Sequence, residues 1–138
     1  MSIFIIGEIG INHNGDIETC KKLIHIAFKA GFDAVKFQKR DINLVYTQDF
    51  LDAHRESPWG TTQREQKLGL EFTEEQYLEI NQYCEDLGID WFASAWDLAS
   101  QKFLQKFDWI MSNFFPKVCL FSFLNYFYFT IYLLCFII

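Results

Sequence analysis

The sequence predicts an α/β fold built on parallel strands, and three observations predict it. Short runs rich in Ile, Val, Phe and Trp alternate with amphipathic helical patterns. None of those runs alternates cleanly between apolar and polar residues, which marks strands covered on both faces. The first two runs are separated by a helix of crossover length, and a strand-helix-strand unit implies parallel pairing with a right-handed connection. The order read along the chain is β-α-β, a long connection, then α-β-α, or about three βα units. A (β/α)8 barrel and an open doubly wound sheet both fit this order. Three units do not close a barrel, which takes about 250 residues, and the chain has 138.

The first strand is expected over residues 3–9, apolar except for Glu8 and a glycine. A polar loop, Ile11-Asn12-His13-Asn14-Gly15, leads to Asp16, which can cap a helix. Ile17, Cys20, Ile24, Ala27 and Phe28 recur at spacings of three and four, Glu18 and Lys22 are spaced as an i,i+4 pair, and Gly31 is a natural stop. The second strand is expected over residues 33–38. Residues 39–71 carry no sustained period and are too long for an ordinary loop. Short helices or a functional excursion are expected there, with Ser57-Pro58-Trp59-Gly60-Thr61-Thr62 as either a substrate-facing lid or a packed turn held by Trp59. Thr73-x-x-Gln76 has the form of a capping box, with Phe72 and Tyr77 at the staple positions, and Gly88 closes that helix. The third strand is expected over residues 90–94, followed by a helix capped by Asp97, and a fourth strand soon after Asp108.

Charge and composition divide the chain near Asp108. The net charge is −6. An acidic chain with no basic stripe argues against nucleic acid as a partner, and 51% hydrophobic residues exclude disorder as a description of the whole. Residues 109–138 hold a single charge, Lys117, and are dense in Phe and Tyr. The expected division is therefore a domain over 1–108 and an apolar tail over 109–138. Residues 118–138 are uncharged and long enough to span a bilayer, although their aromatics are spread rather than banded at the ends. A membrane-spanning helix, out-of-frame or read-through sequence, and an extra buried element are the three readings of the tail. Cys20, Cys84, Cys119 and Cys135 form no CxxC, so free thiols are expected. The N-terminus has no basic stretch before its apolar run, so no signal peptide is expected and a cytoplasmic location fits. Membrane contact through residues 118–138 stays open.

Several residues invite chemistry. Glu8 is a carboxylate inside an apolar strand near its C-terminal end, where α/β folds place active sites. It needs a partner or a task, because burying it alone is costly. Lys36 sits between Val35 and Phe37 on the next strand, with Gln38 two residues on and facing the same side. Lys36 can bind an anion, form a Schiff base, or simply pair with Glu8. Asn12 and Asn14 can bind sugar hydroxyls or hold their own loop. His13 is a weak metal candidate without a second ligand nearby, and His25 and His54 read as exposed. Arg40, Arg55, Arg64 and Lys67 lie in or beside the long connection. Ser94 ends the third strand and faces the strand-end site, Trp96 can line a pocket, and Asp97 is a helix cap first. No GxGxxG, Walker A, G-x-S-x-G or HExxH pattern occurs.

Glu8-Ile9-Gly10-Ile11-Asn12-His13-Asn14-Gly15 resembles the opening motif of the sialic acid synthase (N-acetylneuraminate or nonulosonate synthase) family, and Val35-Lys36-Phe37-Gln38 resembles its second-strand motif. Residues 57–67 and 91–97 resemble the branch that makes sialic acid and related nonulosonates in bacteria. The resemblance covers about residues 3–108. It implies the N-terminal portion of a (β/α)8 TIM barrel, incomplete here and followed by a tail foreign to the family. It implies a transferase condensing phosphoenolpyruvate with an N-acetylated hexosamine such as N-acetylmannosamine, a divalent metal (Mn2+ or Mg2+), and a homodimer. By the same resemblance Glu8 manages protons at the reacting carbons, Lys36 binds the phosphoenolpyruvate anion, Gln38 contacts the sugar, and Asn12 and Ser94 are substrate contacts. The family's later lysine, its metal-binding histidines and its closing arginine have no counterpart in these residues, so the chain alone is expected to be inactive. Two other readings are a membrane-tethered, non-catalytic sugar-phosphate-binding domain and a fragment of a lysine-based aldolase-like barrel.

Overall fold

Oxygen-bearing side chains start nearly every helix, and the strands lie between them. The computed structural model of the protein describes residues 4–107 and the backbone of residues 136–137. Strand β1 (Ile6–Gly10) leads into α1 (Ile17–Lys29), then β2 (Ala34–Lys39). Asp16 accepts from the backbone N–H groups of Glu18 and Thr19, as its position before α1 predicts. The expected Glu18–Lys22 pair does not form. Glu18 instead takes Lys21, one residue closer, because Lys21 also reaches Glu79 on the neighbouring helix.

The long connection is structured. It holds α2 (Ile42–Val45), α3 (Gln48–Asp52), a hairpin of β3 (His54–Ser57) and β4 (Gly60–Thr62), and α4 (Gln63–Gly69). Short helices were expected and the hairpin was not. Thr62 and Glu65 form a reciprocal capping box at the start of α4. The next helix, α5 (Glu74–Leu87), has the box read from Thr73 and Gln76, and ends at Gly88 in the left-handed region with φ 75°. Strand β5 (Asp90–Ala95), α6 (Leu98–Leu104) capped by Asp97, and one 3-10 turn (Gln105–Phe107) follow.

The main sheet is parallel, in the order β5-β2-β1-β6, where β6 (Phe136–Ile137) pairs with β1 at Gly7 and Glu8. Strands β1, β2 and β5 therefore add in chain order in one direction. Their helices lie on a single face. Cys20 and Ile24 of α1, Tyr77 and Cys84 of α5, and Leu104 of α6 share one core with Val35, Phe37 and Trp91. Tyr77 is buried with its hydroxyl donating to the Gln38 carbonyl at 3.2 Å, so its polar end is satisfied. Cys20 and Cys84 are free and buried. No barrel closes among the described residues, and no strand covers the outer edge of β5 among them. No described helix is long and apolar enough to cross a membrane. The fourth strand expected after Asp108 and the three readings of the tail fall outside the described residues, apart from the backbone of β6.

Candidate functional site

The sheet face opposite the helices carries the chemistry read in the sequence. Parallel register sets Glu8 directly beside Lys36, and sets Gln38 beside Ser94. Alternation then decides the faces. Val35 and Phe37 turn into the helix-side core, so Lys36 and Gln38 turn the other way. Lys36 Nζ donates to Glu8 Oε2 at 2.6 Å, a charge-assisted bond between side chains only 27% and 20% exposed. Glu8 Oε1 is buried and has no hydrogen-bond partner. One carboxylate oxygen is thus buried and unpaired while the other is held by Lys36.

Glu8 is aimed by an irregularity in its own strand. The β1–β2 register slips between Glu8 and Gly10, and Gly10 adopts φ 55°. A Cβ on Gly10 would stand 3.3 Å from Glu8 Oε1 and 3.4 Å from Gln38 Nε2. Both groups therefore border the space that a side chain on Gly10 would fill. Asn12 lies past the strand end on an exposed turn, its N–H donating to the Ile9 carbonyl at 2.9 Å.

Two histidine readings change. His13 is 3% exposed, stacked on Phe72 at 4.1 Å, and its Nδ1 accepts from the Gly15 N–H at 3.0 Å. Burial pushes its pKa down to about 4, helped by the Arg40 charge and opposed by a hydrogen bond to the Gly10 backbone. It is a neutral loop-holder whose Nδ1 is already engaged. His25 is half-buried rather than exposed, with Nδ1 3.5 Å from the Tyr83 hydroxyl. Of the two readings of residues 57–62, the packed turn is the one the contacts of Trp59 favour: the residue is 37% exposed, but a Cβ on Gly69 would overlap its indole, and one on Gly15 would lie 3.5 Å from it. The hairpin turn is thereby fastened to the β1–α1 loop. His54 is exposed, in keeping with its position on β3.

Arg40 is deeper than its place beside a long connection suggests. It is 6% exposed, with Nε donating to Glu71 Oε1 at 2.8 Å, Nη1 donating to the Tyr46 hydroxyl at 3.1 Å, and its guanidinium over Trp96 at 5.4 Å. Glu71 also takes Lys39, and Asp97 both caps α6 and accepts from the Asp41 N–H at 2.7 Å. A cavity of about 480 Å³ opens at this network, lined by Lys39, Arg40, Asn43, Glu71, Thr73 and Ser100 among others, and not by Glu8 or Lys36. Among the described residues no three of His, Cys, Asp and Glu converge as a metal-binding group. The donor set present does not fit a divalent ion.

Comparison of the chain with known proteins finds a family and several relatives. A family model described as the NeuB family matches residues 23–118. The N-acetylneuraminate-9-phosphate synthases of Drosophila melanogaster and Homo sapiens are 46% and 39% identical over 105 residues, which is 75% of this chain and 28% and 29% of theirs. The N,N'-diacetyllegionaminic acid synthase of Legionella pneumophila is 36% identical over 107 residues, covering 75% of this chain and 30% of that one. The crystal structure of an N-acetylneuraminic acid synthetase from Leptospira borgpetersenii shares the fold with TM-score 0.62 at 23% identity, covering 77% of this chain and 33% of that one. The chain thus spans under a third of the length of the curated relatives it matches.

Proposed function

The chain belongs to the NeuB family, and on that premise we propose that its strand-end face is part of a site that condenses phosphoenolpyruvate with an N-acetylated amino sugar. The observation that carries the reading is the Glu8–Lys36 pair, one carboxylate oxygen bound at 2.6 Å and the other buried and open. Lys36 supplies a positive charge for the carboxylate or phosphate of phosphoenolpyruvate. Glu8 Oε1 accepts a proton from a hydroxyl or water at the reacting carbons. Gln38 Nε2 donates to the sugar, Ser94 beside it offers a hydroxyl to substrate, and Asn12 contributes from the loop. A 2.6 Å contact between Lys36 Nζ and a carboxylate suits an electrostatic clamp. These roles use this chain's own groups and pass no step through a metal.

One-directional strand order with every helix on one face suits the start of a (β/α)8 barrel better than a doubly wound sheet, whose helices cover both faces. On this reading residues 1–108 are that start, and a homodimer belongs to the complete enzyme. The relatives' names give two product classes. A 9-phosphate product requires a sugar already phosphorylated at C6, since condensation adds three carbons at the other end. The legionaminic product carries no phosphate in its name.

Titration of the 138-residue chain with phosphoenolpyruvate tests the clamp. Binding that falls more than about tenfold in Lys36→Met, and is partly kept in Lys36→Arg, is the expected result. Equal binding by the native chain and Lys36→Met refutes it, and borohydride trapping of a Lys36 adduct would replace it with the covalent alternative.

A further inference from the structure

The loop between β1 and α1 carries a group that the proposed reaction does not use, and we propose that the Asn14–Gly15 peptide is a site of spontaneous deamidation that His13 holds closed in the folded chain. Of the asparagines in the sequence, Asn14 alone precedes a glycine. The inference stands on the geometry of this loop and is independent of the roles given to Glu8 and Lys36.

The sequence favours the reaction. The Gly15 nitrogen attacks Asn14 Cγ, its proton passes to a base in solvent, and Asn14 Nδ2 leaves as ammonia. Water then opens the five-membered imide at either carbonyl, leaving aspartate or isoaspartate at residue 14. Glycine hinders this attack least among following residues, because it has no Cβ and the most freely turning backbone. Asn14 is exposed, so base and water reach it.

The fold opposes the reaction. The imide ring requires the peptide between Asn14 and Gly15 to turn about the Asn14 Cα–C bond, out of the left-handed setting that both residues hold at φ 49° and 69°. His13 resists that turn. Its Nδ1 accepts from the Gly15 N–H at 3.0 Å, and its carbonyl accepts from the Asp16 N–H at 3.0 Å. The ring that holds Gly15 is itself fixed, 3% exposed and stacked on Phe72. Burial keeps it neutral, so Nδ1 stays an acceptor. On the other side Gly15 stands against the end of α4, where a Cβ would overlap the Gly69 carbonyl. The same contact sets the consequence of modification. Isoaspartate adds a methylene to the main chain where there is no space toward Gly69, so the loop would come away from Gly69 and Trp59.

The test is incubation of the 138-residue chain at mildly alkaline pH, with residue 14 read by peptide mass mapping and by isoaspartyl methyltransferase labelling. In urea, Asn14 should be the first asparagine to deamidate. The native chain should react there at least about tenfold more slowly, and His13→Ala, shown to be folded by circular dichroism, should recover most of that factor. Gly31→Ala, which strains the far end of α1, should keep the native rate. Equal rates in the native and unfolded chains, a His13→Ala rate no faster than native, or a Gly31→Ala rate as fast as that of His13→Ala would each overturn the proposal. Where His13→Ala does not fold, hydrogen exchange in the native chain decides: a protected Gly15 amide upholds the hold by His13, and one that exchanges at the unfolded rate ends it.

Discussion

His13 shows how burial redirects a residue whose type suggests chemistry. In the sequence it stands in a polar loop between two asparagines, and nothing there signals that Phe72 will cover it. Its folded pKa of about 4 lies below the ordinary 6.5, so the unfolded chain binds more protons between these values. Stability should therefore rise as pH climbs from about 4 to 6.5 and level off above, with His13 contributing up to about 3 kcal/mol to the change. Urea midpoints at pH 4.5, 5.5 and 7 check this, and His13→Gln should flatten that part of the curve. Gly10 is a second residue-scale case. Gly10→Ala and Gly31→Ala both force a side chain into positive φ, at about 1–2 kcal/mol each. Only the first intrudes on Glu8 and Gln38, since nothing lies within 4 Å of a Cβ at Gly31. Both should lower the melting temperature alike, while Gly10→Ala alone weakens phosphoenolpyruvate binding. Glu8, Lys36 and Gln38 were legible because charged and amide groups inside apolar strands are rare and parity fixes their side. The depth of Arg40 was not, because it depends on Glu71 and Tyr46 arriving from elsewhere in the chain.

At the scale of elements, local chemistry carried most of the sequence reading. Asp16, Thr73 and Asp97 cap the helices they precede, and Gly31 and Gly88 follow the helices they were expected to stop. The hairpin was missed for a physical reason. Its strand His54–Ser57 is polar and mostly exposed, so it has no period to detect, and pairing comes from the turn at Pro58-Trp59 and from packing on α4. What secures it is the indole of Trp59 lying on Gly69. Gly69→Ala should therefore cost about 1–3 kcal/mol by overpacking, more than its gain in helix propensity returns. In a Trp59→Ala background the same substitution should be neutral or stabilising. Chemical denaturation of the four proteins in that cycle measures the coupling, and additive effects would show that the indole is not the obstacle.

For the whole molecule the decisive relation is between one sheet face and what stands opposite it. The core lies between sheet and helices, where Val35, Phe37 and Trp91 meet Tyr77 and Phe107. The face bearing Glu8, Lys36, Gln38 and Ser94 meets no second layer of strands among the described residues, and Trp96 beyond it is 50% exposed. Sequence pattern gave the parallel strands but left the barrel and the open sheet undivided, because that choice depends on contacts far apart in the chain. Turnover needs the reacting carbons enclosed and developing charge met from several sides at once. On the proposed reading this face supplies one side: the Glu8–Lys36 pair, an unpaired carboxylate oxygen and the Gln38 amide. The 138-residue chain should accordingly bind phosphoenolpyruvate weakly through Lys36 yet release no phosphate from it with N-acetylmannosamine or its 6-phosphate, with or without Mn2+. Phosphate release measured against a Glu8→Ala control checks this. Release above that control would mean that residues beyond Phe107 complete the enclosure from within this chain.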